Sequence, residues 1–382
     1  MSTKSLIFGD KVLLVIVLLL SLFSFFPVFS SSSYLSYVID GSSPIYYLVK
    51  HLIVILFGFV LMLSIKLVPF KFFRGMSIIL LPIGIGLLVY TLSQGTIIGG
   101  SVASRWIDIP FVGISFQTSA LAAIIIITYT ARYLSKVELS KTKFSETLIP
   151  LWLPIFTYIF LIFPANFSSA FLIFTALVIT LLISGFPLRH LFKVFLILSF
   201  LLITFFFTAK TFPDKFPNRI DTCLSRMKNF GSNKNLDASY QIERAKMAIN
   251  NGGLIGVGAG KSIMKNHLPQ SNSDFIFAII VEEWGSIGGA FIICLYILMF
   301  FRFLSITHRI DDRFGKILVS GLGVFIIIQA FTNISVATQI IPVTGQNLPL
   351  ISSGGSSAWM TCISLGMILS VSSSIKNKNG KQ

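Results

Sequence analysis

Ten long apolar runs divide this sequence and leave little of it for a water-soluble core. Each run is close to the roughly 20 residues that a helix needs to cross about 30 Å of hydrocarbon. Composition agrees, since 54% of the 382 residues are hydrophobic, 12% are charged and the mean hydropathy is +0.86. We therefore predict an all-α integral membrane protein with a single transmembrane domain over residues 1–382. The predicted helices cover residues 11–30, 46–66, 76–93, 116–134, 147–163, 167–184, 190–209, 274–302, 316–338 and 354–374.

The boundary between the fifth and sixth runs depends on a short segment, residues 163–169. Pro164 and the polar residues that follow it, among them Asn166, are typical of a turn. We therefore predict a tight turn and two separate helices here.

The distribution of lysine and arginine predicts that both termini are cytoplasmic. Basic residues collect in the short loops on the cytoplasmic side of a membrane. The loops after the second, fourth, sixth and eighth runs carry several, whereas residues 31–45 and 339–353 carry none and residues 94–115 carry only Arg105. Residues 210–273 are then a large extracytoplasmic loop between the seventh and eighth helices. This loop is basic, which is permitted because long loops translocate largely regardless of charge.

The large outer loop has more basic than acidic residues. Such an excess suits either anionic membrane lipid or a phosphorylated substrate, and charge alone does not decide between them. Nucleic acid is not an expected partner, because the cytoplasmic basic residues are scattered over short loops. The apolar spacing over residues 240–249 predicts a short interfacial helix. The glycines of 252–260, just before Lys261, either bring backbone N–H groups close to a phosphate or form an ordinary turn system.

Asp274 is a lone carboxylate where this polar loop meets the eighth apolar run. Ionisable groups at bilayer depth are costly and usually mark a pathway or a reaction site. The alternative is a structural one, because Asp is also a favoured N-cap before an apolar helix. Glu282 and Glu283 follow about two turns later, so at least one should face the protein interior and support the structure.

A second glycine cluster, residues 348–357, precedes the last helix. It is either a flexible helix entry or the wall of a polar cavity, since irregular backbone at membrane depth is tolerated only where it is buried or lines such a cavity. The polar segment 342–347 beside it favours the cavity. No metal site is predicted, because the four histidines are dispersed and no Cys/His spacing is typical of one.

Several of these segments together resemble the SEDS family of bacterial shape, elongation, division and sporulation proteins. The resemblance runs through most of the chain in the family's order. The segments that carry it are Ser104-Arg105-Trp106-Ile107, Phe116-Gln117-Thr118-Ser119, Tyr240-Gln241 with Ala248-Ile249, Gly252 to Gly260, Ser273 to Ala278, Glu282 to Gly285, and Leu348 to Ser357.

The resemblance implies a peptidoglycan glycosyltransferase that polymerises lipid II at the outer face of the bacterial inner membrane. Asp274 falls on the family's essential aspartate and is the expected catalytic base. Undecaprenyl pyrophosphate would leave, stabilised by cations or by a divalent ion such as Mg²⁺, although no cofactor is required by the residues themselves. The expected substrate-binding residues are Arg105, Arg219, Gln241, Arg244, Lys246, Lys261, Ser352, Gly354, Gly355 and Ser356.

Within the family the chain most resembles FtsW division proteins of the Bacteroidetes type. A class B penicillin-binding protein and other division proteins are then the expected partners, and the division site the expected location. A RodA-like elongation polymerase, a lipid II flippase and a non-enzymatic division scaffold are the alternatives. A flippase is disfavoured, because neither deep charges in several helices nor symmetric broken helices are evident.

The chain departs from the family's usual pattern at a few positions. Ala120 and Ala123 stand where many members carry a Glu and a Lys, and Thr118 replaces a Pro. Losing both charges together is physically coherent, because one alone would be an unpaired charge in the membrane. Asn166 takes the place of a common Asp, and Ser353 that of a Tyr.

Overall fold

The computed structural model describes residues 9–34, 43–94, 97–98, 101–102, 106–109, 114–138, 142–211, 236–268 and 271–379. Most of them are helical. The helices are α1 (Lys11–Tyr34), α2 (Pro44–Leu67), α3 (Lys71–Ser93), α4 (Thr118–Lys136), α5 (Phe144–Thr147), α6 (Leu153–Ile162), α7 (Phe167–Ile183), α8 (Leu188–Thr211), α9 (Leu236–Gly252), α10 (Ile276–Arg309), α11 (Arg313–Ala337) and α12 (Gly355–Asn379). A π-helical turn, Leu148–Trp152, joins α5 to α6, and a 3₁₀ turn, Met264–Asn266, follows α9.

Each predicted apolar run corresponds to helical structure, and the all-α membrane fold is confirmed. In the described part of the chain, eight helical segments are long and apolar enough to span a membrane, with α5, the π-turn and α6 forming one of them. Two further runs correspond to α7, a shorter apolar helix, and to the 24-residue α8. The count of ten membrane crossings stays a prediction.

The loop before α4 contains two short hairpins that the sequence patterns did not indicate. β1 (Ile97–Ile98) pairs antiparallel with β2 (Ser101–Val102), and β3 (Trp106–Ile109) pairs antiparallel with β4 (Ile114–Gln117). The longer hairpin leads directly into α4, so Gln117 is both the last residue of β4 and the N-cap of α4.

The predicted turn between the fifth and sixth runs is confirmed. Residues 163–165 form a turn, and α7 begins at Phe167. Asn166 is the N-cap of α7, because its Oδ1 accepts a hydrogen bond from the Ser169 N–H at 3.1 Å. A short polar side chain therefore starts α7 directly after the turn.

Helices α4, α11 and α12 form the centre of the bundle. In their most apolar windows 67%, 67% and 72% of the residues are buried, against 28% for α2 and 22% for α3. The outer helices α2 and α3 instead expose many large apolar side chains, which suits contact with lipid. α12 packs on α2, α3 packs on α4, and α11 packs on α4, α7 and α10.

Helix α10 is broken at Gly285, where a single continuous helix was expected. Gly285 has φ +68° and ψ −175°, a conformation that side chains disfavour. The irregular segment after α9, residues 253–258, crosses α10 at this break. The N–H groups of Val257 and Gly258 donate to the carbonyls of Glu282 and Glu283, both at 3.0 Å, and the Ser286 N–H donates to the Gly253 carbonyl at 2.9 Å.

This crossing explains part of the glycine-rich segment that follows α9. A Cβ atom on Gly252 would overlap the backbone of Val281, and one on Gly256 would overlap the backbone of Glu283. The glycines therefore allow two backbones to approach closely. Because the N–H groups of Val257 and Gly258 donate to α10 carbonyls, these two groups do not face a phosphate.

Candidate active site

Asp274 lies in the turn of residues 271–275 and is half-buried. Helix α10 begins two residues later, at Ile276, and its N-cap is Phe275, which makes no side-chain capping hydrogen bond. Asp274 therefore does not occupy the N-cap position.

The backbone around Asp274 is held by hydrogen bonds from two other parts of the chain. The Ser353 N–H and Oγ both donate to the Asn272 carbonyl, at 3.0 and 3.1 Å. The Ser352 Oγ donates to the Ser273 carbonyl at 2.7 Å. The Asn333 Nδ2 of α11 donates to the Asp274 carbonyl at 3.0 Å. Three consecutive carbonyls are thus bonded, which fixes the position of the turn.

Four predicted binding residues lie close to the Asp274 turn. They belong to the loop before α12, whose serines donate to the carbonyls of that turn, and to the start of α12. Ser352 is buried, and besides donating to Ser273 its Oγ accepts from the Leu348 N–H at 2.8 Å. The Ser356 Oγ accepts from the Gln117 N–H at 3.1 Å, which joins β4 to α12. Gly354 lies against the Asn347 amide, and Gly355 opens α12. The two serine hydroxyls therefore bond backbone groups, while the substrate role of all four residues stays a prediction.

Of the other predicted binding residues, three lie on α9, one lies in the segment after α9, and two lie outside the described residues. Gln241, Arg244 and Lys246 lie on α9, which packs against α10 with Ala245 and Ala248 buried. The Arg244 guanidinium lies over the Tyr240 ring, with 4.8 Å from its Cζ to the ring centroid.

The side chains of Lys246 and Lys261 are exposed and available to an anion. Arg105 and Arg219 lie outside the described residues.

A small, partly open cavity lies between α4, α7, α11 and α12. Gln346 of the loop before α12 also borders it. Its polar lining in the described part of the chain is uncharged: Gln117, Ser119, Ser169, Gln329, Gln346, Ser357, Thr361 and Ser364. The polar segment 342–347 therefore does contribute to a cavity wall, as its composition suggested.

The two alanines at the departures from the SEDS pattern have different surroundings. Ala120 borders the cavity, whereas Ala123 is fully buried in the hydrophobic core. A Lys at 123 without an acidic partner would be an unpaired charge in that core. The loss of both charges together is therefore consistent with the packing.

Glu282 and Glu283 both lie in the protein interior, just before the break in α10. The Glu282 carboxylate accepts hydrogen bonds from the Ser262 Oγ, from the Ile263 N–H at 3.2 Å and from the Met264 N–H at 3.3 Å. It thereby satisfies the free N–H groups at the start of the 3₁₀ turn.

The Glu283 carboxylate joins the segment after α9 to α1. Its Oε1 accepts from the Ser30 Oγ of α1 and from the Ser262 N–H. Lys265 is the nearby cation, and its Nζ donates to the Ser30 Oγ at 3.3 Å and to the Gly260 carbonyl at 2.7 Å. These contacts are those of a structural support.

Metal-ligating side chains do not gather in the described part of the chain. No group of three or more His, Cys, Asp or Glu side chains there lies close enough together to hold an ion.

Residue-by-residue interpretation of the sequence missed Asn333 and Gln329. Both are amides in the otherwise apolar α11, four residues apart and so on one helix face. Polar side chains inside a membrane-spanning helix usually bond across helices or line a cavity, and that signal was present in the sequence. Which of these two roles each amide has depends on its neighbours in space.

Comparison with known proteins identifies the family. The family model described as "Cell cycle protein", which unites FtsW, RodA and SpoVE, matches residues 10–377. A probable peptidoglycan glycosyltransferase FtsW of Hydrogenovibrio crunogenus is 31% identical over 333 residues, which cover 86% of this chain and 82% of that protein.

Solved structures share the fold at lower identity. A chain of a peptidoglycan synthase complex, solved to explain the structural coordination of polymerization and crosslinking, aligns with a TM-score of 0.75 at 21% identity over 96% of this chain and 98% of that chain. The rod shape determining protein RodA of Thermus thermophilus aligns with a TM-score of 0.67 at 20% identity over 95% of this chain and 96% of its own. The resemblance to the SEDS proteins is thus confirmed, while the Bacteroidetes type stays a prediction. This chain belongs to the FtsW, RodA and SpoVE family of cell cycle proteins.

Proposed function

We propose that this protein is a peptidoglycan glycosyltransferase that polymerises lipid II at the outer face of the bacterial inner membrane, with Asp274 as its catalytic base. The observation that carries the proposal is the place of Asp274, a half-buried residue next to the cap position of α10, in a turn whose carbonyls at residues 272, 273 and 274 all accept hydrogen bonds from other parts of the chain. The FtsW relative, which is named a probable peptidoglycan glycosyltransferase, supports the same activity.

The reaction needs a base at one sugar hydroxyl. The 4-hydroxyl of the acceptor sugar attacks C1 of the donor sugar, forming a C–O bond as the bond from C1 to the pyrophosphate breaks. The proton of the hydroxyl passes to the Asp274 carboxylate, and undecaprenyl pyrophosphate leaves with the bonding electrons. A carboxylate held in place can perform this transfer, and general-base catalysis contributes roughly a hundredfold to ten-thousandfold in rate.

The leaving pyrophosphate needs positive charge. Arg244, Lys246 and Lys261 are the described cations of the outer loop that we expect to contribute, together with Arg105 and Arg219. A divalent ion carried by the pyrophosphate itself is the alternative source of charge, since Mg²⁺ is commonly held by substrate phosphates with only one or two carboxylates.

Substitution of Asp274 by Asn tests the proposal. Asn has nearly the same size and keeps hydrogen-bonding capacity, but it does not accept the proton. We expect Asp274→Asn to express and insert normally, to bind lipid II, and to lose polymerisation by roughly a hundredfold or more. The measurement is glycan polymer formed from lipid II by the purified protein together with its transpeptidase partner.

Asp312→Asn is the matched control. The Asp312 carboxylate caps α11 by accepting from the Gly315 N–H at 2.9 Å, and Asn caps helices about as well. We expect this variant to polymerise at the wild-type rate. Near-normal polymerisation by Asp274→Asn would remove Asp274 from the chemistry, and absence of polymer from the wild-type protein would favour a flippase or a scaffold.

The proposed setting is cell division, with a class B penicillin-binding protein as partner. The FtsW relative supports the division role over a RodA-like role in elongation, since the match to RodA rests on fold at 20% identity. The likeness to a chain of a peptidoglycan synthase complex supports function in a complex with a crosslinking enzyme. Depletion of the protein should therefore block septation, as expected for a division protein. Loss of an elongation protein would instead make the cells spherical.

A further inference from the structure

The Asn333 side chain of α11 makes two hydrogen bonds that meet at the base of the Asp274 turn. Its Nδ2 donates to the Asp274 carbonyl at 3.0 Å and to the Gln346 carbonyl at 2.7 Å. Asn333 is only 1% exposed, so water does not readily replace either bond. The residue lies 59 positions from Asp274 in the chain, and it is the contact from α11 that reaches the carbonyl of Asp274 itself.

Both partners are carbonyl oxygens, and this restricts which side chain serves here. Only a group with two N–H donors satisfies two acceptors at once, and an amide NH₂ is such a group. The orientation of the amide follows from the partners, because its oxygen would face two other oxygens if it were flipped. An apolar side chain of similar size would leave two buried carbonyls without donors.

The two N–H bonds hold the Asn333 amide, since its Oδ1 is buried without a hydrogen-bond partner among the described residues. Gln346, whose carbonyl accepts one of them, is itself anchored on its other side. The Gln346 Nε2 donates to the Ser169 Oγ of α7 at 3.0 Å, and Ser169 is fixed in turn by its own N–H bond to the Asn166 Oδ1 at 3.1 Å. Ser169 and Gln346 both border the cavity inside the bundle. A continuous buried chain of hydrogen bonds therefore runs from the cavity wall through Gln346 and Asn333 to the backbone of Asp274.

We infer that Asn333 is a positioning residue for Asp274. Its bonds to the carbonyls of Asp274 and Gln346 hold the backbone of Asp274 at a fixed distance from the cavity wall, and thereby place the carboxylate. The inference rests on the proposed role of Asp274 as the base. In this role Asn333 touches neither the substrate nor the reacting atoms. It acts by fixing the turn, and a misplacement of about 1 Å in such a site costs roughly a hundredfold in rate.

The test is kinetic and uses Asn333→Ala in the full-length protein with its transpeptidase partner and lipid II. Loss of the amide should lower kcat about tenfold to a hundredfold while KM stays within about twofold, because the substrate contacts are unaltered and only the base is displaced. Ser320→Ala is the control. Ser320 is also a buried polar residue of α11, and its Oγ bonds the Lys316 carbonyl at 2.9 Å and the Thr307 Oγ1 of α10 at 3.4 Å. Neither contact involves the Asp274 turn, so we expect wild-type kinetics.

A second readout does not depend on activity. Hydrogen–deuterium exchange should be faster in the peptide covering residues 271–276 of Asn333→Ala than in wild type, with other helices unchanged, and Ser320→Ala should show no such effect. Unchanged kcat, a KM that rises as much as kcat falls, or unchanged exchange over 271–276 would each overturn the inference. If Asn333→Ala does not fold, Asn333→Ser, which retains a single short donor, is measured against the same three criteria.

The two proposals fail differently. Normal polymerisation by Asp274→Asn ends the assignment of Asp274 as base, whatever Asn333 does. Faster exchange over 271–276 without any fall in kcat would leave the base assignment intact and end the positioning role of Asn333 in the reaction.

Discussion

The carboxylate of Glu282 shows how much one buried side chain does in this protein. It accepts hydrogen bonds from the Ser262 Oγ and from the N–H groups of Ile263 and Met264, and it is fully buried. Replacing it by Leu leaves these donors in the interior without an acceptor. Each unsatisfied buried donor costs about 1–3 kcal/mol, so we expect Glu282→Leu to lower the free energy of unfolding by roughly 3 kcal/mol or more.

The measurement for Glu282→Leu is the yield of folded protein together with thermal unfolding in detergent. Glu283→Leu should also destabilise, because the Ser30 Oγ and the Ser262 N–H lose their acceptor. Glu243→Gln, at an exposed position of α9, is the control and should leave the unfolding temperature unchanged. If both Leu variants kept wild-type yield, unfolding temperature and polymerisation, the support role of these two carboxylates would be wrong.

At the scale of elements, the crossing of the segment after α9 over the break in α10 fixes how α9 packs on α10. The crossing requires glycine at Gly252, because a methyl group there would overlap the Val281 carbonyl of α10. We expect Gly252→Ala to separate α9 from α10 and to reduce folded protein strongly, since neither backbone can yield without losing the hydrogen bonds of the crossing. Thermal unfolding and limited proteolysis after α9 measure the effect.

Gly86→Ala is the matched control for this prediction. Gly86 lies inside α3, and a Cβ there meets no atom within 4 Å. Ala is favoured over Gly in a helix interior by about 1 kcal/mol, so this variant should be as stable as wild type or slightly more stable. Equal stability of the Gly252→Ala and Gly86→Ala variants would contradict the account of the crossing.

At the scale of the whole molecule, we predict the membrane orientation from the distribution of charge. The N-terminal end of α1 and the C-terminal part of α10 are joined by an ion pair between Asp10 and Arg302, with 2.6 Å between the Arg302 Nη2 and the Asp10 Oδ2. Asp10 precedes α1 and Arg302 lies late in α10, so these two helices run in opposite directions. This agrees with an outer loop between the seventh and eighth predicted helices, as the distribution of basic residues indicates.

The orientation is tested by labelling single cysteines in intact cells with a membrane-impermeant thiol reagent. The background replaces Cys223, Cys294 and Cys362 by Ser. Cysteine at Asn251, exposed at the end of α9, should be labelled, whereas cysteine at His308, exposed at the end of α10, should be labelled only after the cells are broken. The reverse pattern would invert the topology and place Asp274 on the cytoplasmic side, where the proposed reaction does not occur.

Much of the architecture was predictable from the sequence, because its signals are local. Roughly 20 apolar residues in a row specify a membrane helix whatever they pack against, and the lysines and arginines of short loops specify its direction. Pro164 and Asn166 likewise marked a turn that the structure has. The hairpins before α4 and the break at Gly285 were not predictable in this way, since no periodic pattern announces a contact between segments far apart in the chain.

The sequence by itself determined the membrane class, the helical segments, the family and the position of Asp274 at a loop–helix junction. Only the tertiary structure decided what surrounds that carboxylate. Ser352, Ser353 and Asn333 lie between 59 and 81 residues from the carbonyls of the Asp274 turn that they bond, and their hydroxyl and amide groups would serve equally well toward solvent or substrate. Their role is set by packing. Ser352 and Asn333 are buried donors that must find an acceptor, and α11 and the loop before α12 bring all three donors to the carbonyls of this turn.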